Sequence, residues 1–424
     1  MTVDQQQITN AFLPYEKVVW FPFLLLVFSL PFAQPSVFLL QNRIPATDFL
    51  FLITGFIWFA LVLMRKLELR FSAVYYGFAA YILAFFVSAL FSTNPSKSAI
   101  KMLAVTYLLA LSVLSFNLLR TRRHVKQALY ALFVGAAVSC ATAIITILLF
   151  YADRTSHLLF YTLSHYGTLP PGNYPRIQST FYNPNMFCDF LCLIFAALLG
   201  CRKLEWISAG IFYLLLGGLS IAAVFTISPC LGGLFLIAGL WMIAYNKGRG
   251  AKFAGFAGIA ISVLFFLSTL VTPIPYAEAP WKLNLPISNV TLYPSSRTLV
   301  QTSALQTFLA NPLTGKGIGI DAAYAEYVNP SGRMETLLDA HQMWLSIASQ
   351  TGVLGLITFI YLLYMVYSGV RTGDFNSASG TLKLMLSLGL TGAFLYAGLS
   401  GSFEDARHIW VWIGFCAAVP KLSS

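Results

Sequence analysis

The sequence predicts an all-α, polytopic membrane protein with about 12 transmembrane helices. Of its 424 residues, 58% are hydrophobic and only 10% are charged, whereas a soluble domain carries about 25% charged residues. The hydrophobic residues are also collected into runs close to the roughly 20 residues that a helix needs to cross a bilayer. This composition argues against a water-soluble enzyme.

The apolar runs place the predicted helices along the chain. Met1–Asn10 is polar and lacks the basic segment of a secretory signal, so we expect the first run to remain as a span. Ser228-Pro229 divides the long run 204–245, because proline interrupts a helix. The predicted spans are 18–40, 47–64, 71–91, 98–118, 127–150, 184–201, 204–226, 230–245, 253–272, 352–370, 381–400 and 408–420.

The distribution of Lys and Arg predicts the orientation, because cytoplasmic loops are enriched in both. With both termini in the cytoplasm, that side holds 16 Lys or Arg and 5 Asp or Glu, and the opposite side holds 10 of each. The whole net charge of +11 therefore lies on one face. This basicity indicates topology rather than binding to nucleic acid.

Two polar segments on the outer side divide the chain. The predicted organisation is helices 1–9 in residues 1–272, with an outer loop at about 151–183, a large outer loop at 273–351, and helices 10–12 in 352–424. The large loop is longer than usual connections, which suggests a function. Within it, Ser296–Ala310 has the apolar spacing of a helix on a membrane surface, and a second helical pattern covers about 335–350.

The outer segments also hold most of the residues that could carry chemistry. His157, His165, His341 and His408 fall on the outer side, and none has the spacing of a zinc site. The glycine-rich stretch 315–319 lacks the spacing of a nucleotide-binding loop, so we interpret it as a turn. These residues allow a metal-independent reaction in which a histidine is the base and arginines bind phosphate. The few charges within the spans count against a transporter.

Two stretches resemble the O-antigen ligase and O-antigen polymerase superfamily of bacterial membrane glycosyltransferases. Arg176–Asn185 reads RIQSTFYNPN, similar to the family's Arg-x-x-Gly-Thr-Phe-x-Asn-Pro-Asn. The second stretch runs from Arg297 through Asn311-Pro312-Leu313-x-Gly-x-Gly to His341-Gln342-x-x-Leu345 and a Gly-x-x-Gly that begins at Gly352. By motif, the resemblance covers about 176–185 and 297–355.

The resemblance implies a GT-C-like fold with a large periplasmic loop in the bacterial inner membrane. It implies transfer of a glycan from undecaprenyl pyrophosphate, either to the lipid A core oligosaccharide by a ligase or to another carrier-linked repeat by a polymerase. His341 would be the catalytic residue, and Arg176 and Arg297 would bind the donor pyrophosphate. The expected partners are the donor, the acceptor and membrane lipids, with no metal, no cofactor and no nucleic acid.

The chain departs from the family pattern at three places. Ser179 replaces a glycine, Gln342 replaces an asparagine, and Ser228-Pro229-Cys230 stands where the family often has Ser-Arg-Gly. Either Arg407 supplies the missing guanidinium group or the donor is bound differently. The first interpretation is an O-antigen ligase-like enzyme; a polymerase, a small-anion transporter and a non-catalytic scaffold are the alternatives.

Overall fold

The computed structural model describes residues 14–39, 42–152, 163–169, 172–246, 248–273, 281–285, 290–319, 321–328, 334–397 and 406–422. His157, one of the candidate histidines, lies outside these ranges. Helices dominate, as the composition predicts. They are α1 Pro14–Ser29, α2 Ala46–Leu63, α3 Val74–Leu90, α4 Pro95–Leu118, α5 Arg122–Tyr151, α6 Pro184–Lys203, α7 Ala209–Phe225, α8 Leu231–Tyr245, α9 Arg249–Leu267, α10 Ser296–Ala310, α11 Met343–Val370, α12 Ala378–Ala397 and α13 Arg407–Ala418.

Each predicted apolar run overlaps one of these helices, and α10 is the predicted surface helix. The first run, predicted at 18–40, is helical only as far as Ser29, and a strand occupies Ser36–Leu39. In the described ranges, six helices are long and apolar enough to cross a membrane, namely α2, α4, α5, α6, α9 and α11. Helices α3, α7 and α8 are apolar but shorter. The chain is therefore a multi-pass membrane protein by length and composition, while the count of twelve spans and the GT-C-like arrangement remain predictions.

The prediction of an all-α fold is wrong for the connecting segments, which form short antiparallel pairs. The strands are β1 Ser36–Leu39, β2 Asn42–Pro45, β3 His165–Thr168, β4 Pro175–Ile177, β5 Val271–Thr272, β6 Leu283–Leu285, β7 Val290–Pro294, β8 Ala325–Val328 and β9 Met334–Leu337. Because β9 pairs with β8, the helix predicted at 335–350 begins only at Met343. Strand pairing satisfies the backbone groups of 334–337 that a longer helix would otherwise have satisfied.

Helix α6 lies at the centre of the bundle. In the apolar 18-residue stretch of α6, 83% of the residues are buried. The corresponding fraction is 11% in α2 and in α9, which lie at the periphery. Helices α8 and α12 pack on α6, and α13 packs on α4. A Cβ atom at Gly414 of α13 would lie 2.7 Å from the Ser112 carbonyl oxygen of α4, so only glycine permits this close approach.

Several helix ends meet at one end of the bundle, which we call the site end: the starts of α6, α10 and α11 and the ends of α7 and α9. Helix α10 rests on the end of α9, because the Ser295 hydroxyl donates to the Thr269 carbonyl at 2.6 Å and the Thr298 hydroxyl to the Leu270 carbonyl at 2.7 Å. Strand β4 lies there as well, because Arg176 Nε donates to the Thr226 carbonyl at the end of α7 at 3.3 Å. This arrangement positions the candidate residues.

Candidate functional site

The stretch that follows β4 is fixed to its neighbours by hydroxyl groups. Ser179 has a left-handed φ of 51°, a conformation that glycine adopts at little cost. Its hydroxyl donates to the Ser139 carbonyl of α5 at 2.7 Å, and the Thr180 hydroxyl donates to the Pro31 carbonyl at 2.7 Å. The serine that replaces the family's glycine thus keeps the backbone conformation and adds a tertiary hydrogen bond.

Arg176 projects from β4 and is held by three neighbours. Its Nε donates to the Thr226 carbonyl at the end of α7 at 3.3 Å, and its Nη2 donates to Asn185 Oδ1 at 3.3 Å. The ring of Tyr166, on the paired strand β3, lies 5.5 Å from the guanidinium carbon. The start of α6 is itself fixed, since Asn183 Oδ1 accepts from the Met186 N–H at 2.9 Å. The guanidinium group is therefore oriented at the site end.

The segment that departs from the family pattern lies beside Arg176. The Ser228 hydroxyl donates to Asn185 Oδ1 at 2.8 Å, and the Cys230 N–H donates to Ser228 Oγ at 3.1 Å. Pro229 between them therefore stands in the immediate surroundings of Arg176. An arginine in its place would have added a guanidinium group to this site.

Arg297 lies in the first turn of α10, whose N-cap is Ser295. Its Nη1 is buried and has no hydrogen-bond partner among the described residues. Burial lowers the pKa of Arg297, and burial followed by the nearby charge of Arg297 lowers the pKa of Arg176. Within the described part of the chain neither guanidinium group forms a salt bridge. Two half-buried like charges cost free energy, and an anion bound between them would remove that cost.

His341 precedes α11 in a strained conformation, with φ at 47°. Its backbone N–H donates to Asp339 Oδ1 at 2.9 Å, and Gln342 caps α11 by accepting from the Leu345 N–H at 2.5 Å. Gln342 thus performs the capping role that an asparagine performs well. The Nδ1 atom of His341 is buried and has no hydrogen-bond partner among the described residues.

The electrostatic surroundings of His341 keep its imidazole neutral. Burial, and then the positive charge of Arg297, lower the pKa of His341 to about 4. At neutral pH the ring therefore carries no charge and can accept a proton. Arg297 acts on both His341 and Arg176, so the structure brings together the three residues that the sequence singles out. Their chemical roles remain predictions.

The glycine-rich stretch is a turn that docks on α11. Gly315 and Gly319 have left-handed φ angles of 68° and 72°. The N–H groups of Lys316 and Gly317 donate to the Ser349 and Gln350 carbonyls at 2.9 and 3.1 Å. The Gly319 N–H donates to the Gln350 side chain at 3.0 Å. These donors are used within the protein, so the turn does not form a phosphate cradle.

Arg407 forms a salt bridge with Asp48 at the start of α13. Its Nε and Nη2 donate to Asp48 Oδ1 and Oδ2 at 2.5 and 2.7 Å, and the Tyr107 hydroxyl donates to Asp48 Oδ1 at 2.5 Å. Its neighbour His408 lies edge-on to Phe181, 6.0 Å between ring centroids. A paired guanidinium is a poor substitute for the missing arginine, which favours the alternative that this chain binds its donor differently.

His165 lies on β3 opposite Ile177 of β4, but its ring is directed to α5. His165 packs edge-on against Phe150, with 5.1 Å between ring centroids. Among the described residues no group of three or more His, Cys, Asp or Glu side chains could hold a metal ion. Metal independence stays a prediction.

Residues 212–360 match the family model of the O-antigen ligases. This part of the chain is therefore similar to the O-antigen ligase family. The match extends from α7 to α11 and includes Arg297 and His341, while Arg176 lies before it. None of the curated proteins matches the chain. The match confirms the resemblance to the superfamily and supports a glycosyltransferase-type role in O-antigen processing, ligase or polymerase.

Two residues that shape this candidate site are not singled out by the sequence. Tyr166 lies over Arg176, but an isolated tyrosine in a polar loop gives no recognisable signal. Asp189 is buried within α6. Its signal was available, because it is the carboxylate in the otherwise apolar run 184–201, and charged residues inside spans are typically kept for function.

Proposed function

We propose that the chain is an O-antigen ligase-like glycosyltransferase that moves a glycan from undecaprenyl pyrophosphate to the lipid A core oligosaccharide in the periplasm, without a metal ion. The observation that carries the proposal is the convergence of His341, Arg297 and Arg176 at the site end. Two of their nitrogen atoms are buried there without a partner in the described ranges, Arg297 Nη1 and His341 Nδ1. A phosphate oxygen would accept from the guanidinium N–H, and a substrate hydroxyl would donate to an unprotonated imidazole nitrogen.

The chemistry follows from these groups. An acceptor sugar hydroxyl attacks the anomeric carbon of the donor glycan, and the bond from that carbon to the pyrophosphate oxygen breaks. The hydroxyl proton passes to the neutral imidazole of His341, and the electron pair of the broken bond leaves with undecaprenyl pyrophosphate. Arg176 and Arg297 stabilise the charge that develops on the leaving pyrophosphate, because a guanidinium fork matches phosphate oxygens. The activated donor supplies the driving force.

Binding of the donor would also raise the pKa of His341, the proposed base. In the free enzyme, the charge of Arg297 contributes to the low pKa of His341. A pyrophosphate bound to Arg297 offsets that charge, so the pKa of His341 rises towards its ordinary value. The imidazole then becomes a stronger base in the complex than in the free enzyme.

In vitro transfer tests the proposal. Purified protein receives an undecaprenyl pyrophosphate-linked glycan and, as sole acceptor, either lipid A core or a second carrier-linked glycan. Glycan on the core supports the ligase, whereas lengthened carrier-linked chains alone would show a polymerase. Full activity after removal of divalent ions is expected, and loss of activity with a chelator would contradict the metal-independent mechanism.

Variants connect the activity to the site. His341→Ala and Arg176→Ala are expected to lower transfer by at least about 100-fold while membrane insertion is unchanged. His165→Ala is the matched control, because His165 packs against Phe150 rather than facing Arg297. Wild-type turnover by His341→Ala would contradict the assignment of the base.

A further inference from the structure

Asp189 is a carboxylate buried inside a helix that is long and apolar enough to span the membrane. Only 2% of its surface is exposed, and α6 is the central helix of the bundle. A charged group in this environment costs free energy, and such residues are retained where they hold or serve a functional site. The surroundings of Asp189 indicate which site that is.

A series of contacts joins Asp189 to Arg176. Asp189 lies on the same face of α6 as Asn185 and Cys192, and the Cys192 thiol donates to the Cys230 carbonyl at 3.6 Å. Cys230 is thus placed against this face of α6, where its side chain interacts with the Asp189 carboxylate. The Cys230 N–H donates to Ser228 Oγ at 3.1 Å, and the Ser228 hydroxyl donates to Asn185 Oδ1 at 2.8 Å. The same Asn185 oxygen accepts from Arg176 Nη2 at 3.3 Å. Every linking side chain is buried.

Helix α6 holds both ends of this series, because Asn185 and Asp189 are one helical turn apart. The segment 226–230 is fixed against this face of α6, through Ser228 at one point and the Cys230 carbonyl at the other. Its Thr226 carbonyl also accepts directly from Arg176 Nε at 3.3 Å. Both hydrogen bonds of the guanidinium group therefore involve 226–230, one directly through Thr226 and the other through Ser228, which shares Asn185 Oδ1 with Arg176.

We propose that Asp189 is a positioning residue for Arg176: it holds the segment 226–230 through the Cys230 thiol, and this segment aims the guanidinium group at the pyrophosphate of the donor. The inference rests on the proposed function for the identity of that ligand. Asp189 contacts no reacting atom. It acts where the chain has Pro229 instead of the family's arginine, so a site with fewer guanidinium groups depends more on the exact placement of Arg176.

Paired variants test the role of Asp189 in transfer. Asp189→Leu removes the acceptor for the Cys230 thiol, and we expect the KM for the undecaprenyl pyrophosphate-linked donor to rise roughly tenfold with a smaller change in kcat. Asp189→Asn keeps an acceptor oxygen, so its KM should stay within about twofold of the wild type. Cys201→Ala, a fully buried position at the far end of the same helix, is the control for packing.

A double-mutant cycle separates positioning from a general folding defect. If Asp189 acts through Arg176, Asp189→Leu adds no further loss to an Arg176→Ala variant. An equal loss of transfer activity in the wild-type and Arg176→Ala backgrounds would overturn the inference. A fall in kcat at unchanged KM, seen in both Asp189→Leu and Asp189→Asn, would also overturn it.

Hydrogen exchange of the ligand-free protein makes the test independent of the substrate. Asp189→Leu is expected to increase exchange at the amides of 226–230 and of 176–178, whereas Asp189→Asn and Cys201→Ala leave both unchanged. Unchanged exchange in Asp189→Leu overturns the inference whatever the substrate. Increased exchange in a protein that does not use the donor would retain the positioning role and reject the proposed function.

Discussion

His341 combines burial with a nearby positive charge, and these two features determine when it can act as a base. Its pKa is lowered to about 4, first by burial and then by Arg297. Above this pH the imidazole is neutral and competent, and activity is lost as the pH falls through the pKa. In the donor complex the pyrophosphate offsets the charge of Arg297, so the loss on acidification should begin at a higher pH.

The pH profiles of the two rate constants should therefore differ. We expect the acid limb of kcat/KM, which reports the free enzyme, to lie near pH 4, and the acid limb of kcat, which reports the complex, to lie at higher pH. Arg297→Gln removes the positive charge, so the acid limb of its kcat/KM profile should move to higher pH. The acid limbs of kcat and kcat/KM could instead coincide in the wild type and stay at the same pH in Arg297→Gln. That result would show that Arg297 does not act on the base.

Arg407 differs from Arg176 and Arg297 because it has a carboxylate partner. Its guanidinium group makes a bidentate salt bridge with Asp48, at 2.5 and 2.7 Å, and only 17% and 16% of the two side chains are exposed. Removing one partner leaves the other charge largely buried and unpaired. The pair joins α13 to α2, so its loss is expected to lower the free energy of unfolding.

We expect Arg407→Ala to lower the free energy of unfolding by about 2–3 kcal/mol. Asp48→Asn in the same chain should recover part of that loss, since no unpaired carboxylate remains. Thermal unfolding in detergent measures both. A double variant that is as stable as the wild type but no longer binds undecaprenyl pyrophosphate would instead assign Arg407 to the donor site.

Helix α11 is two helical segments joined at Gly352, and this junction supports the segment that carries His341. Gly352 has φ 66° and ψ −161°. A Cβ atom there would lie 2.3 Å from the Leu313 carbonyl oxygen. The Val353 N–H, next to it, donates to the Pro312 carbonyl at 2.8 Å. The turn that ends α10 is thus docked where α11 is interrupted.

Gly352→Ala should therefore destabilise the protein by about 1–3 kcal/mol and lower transfer, because the docked turn must move. Gly373→Ala is the matched control, since a Cβ atom at Gly373 would meet nothing within 4 Å. Unfolding temperature and transfer rate are measured for both variants. Equal stability of the two variants would show that the junction tolerates a side chain.

The apolar helices could be predicted from the sequence. The elements that form only through tertiary contacts could not. Runs of apolar residues mark helices because a span must satisfy its backbone internally, so α2 to α9 fall close to their predicted positions. Short strands such as β8 and β9 leave no such pattern. The motifs selected Arg176, Arg297 and His341, but their meeting depends on contacts between distant segments. The pairing of Arg407 with Asp48, 359 residues apart, has no signal in one sequence.

At the scale of the whole molecule, the basic loops gather at the end of the bundle away from the site end. Arg120 Nη2 donates to the Glu68 carbonyl at 2.8 Å, and Arg70 Nη2 donates to the Lys421 carbonyl at 3.4 Å. The Lys421 ammonium group donates to the Phe71 carbonyl. The opposite end of α4 reaches the site end, where the Ser98 hydroxyl donates to the Ile318 carbonyl at 2.7 Å. The arrangement agrees with the distribution of charge that predicts a cytoplasmic basic end.

Single cysteines test this orientation, and with it the periplasmic location of the site. The native cysteines, all buried, give little background labelling. Tyr174→Cys, at an exposed position of the site end, should react in intact cells with a maleimide that cannot cross the inner membrane. Gly373→Cys, between α11 and α12, should react only after the inner membrane is permeabilised. The reverse pattern would place His341 in the cytoplasm, away from any periplasmic acceptor, and would contradict the proposed function because the reaction needs donor and acceptor on the same side of the membrane as the base.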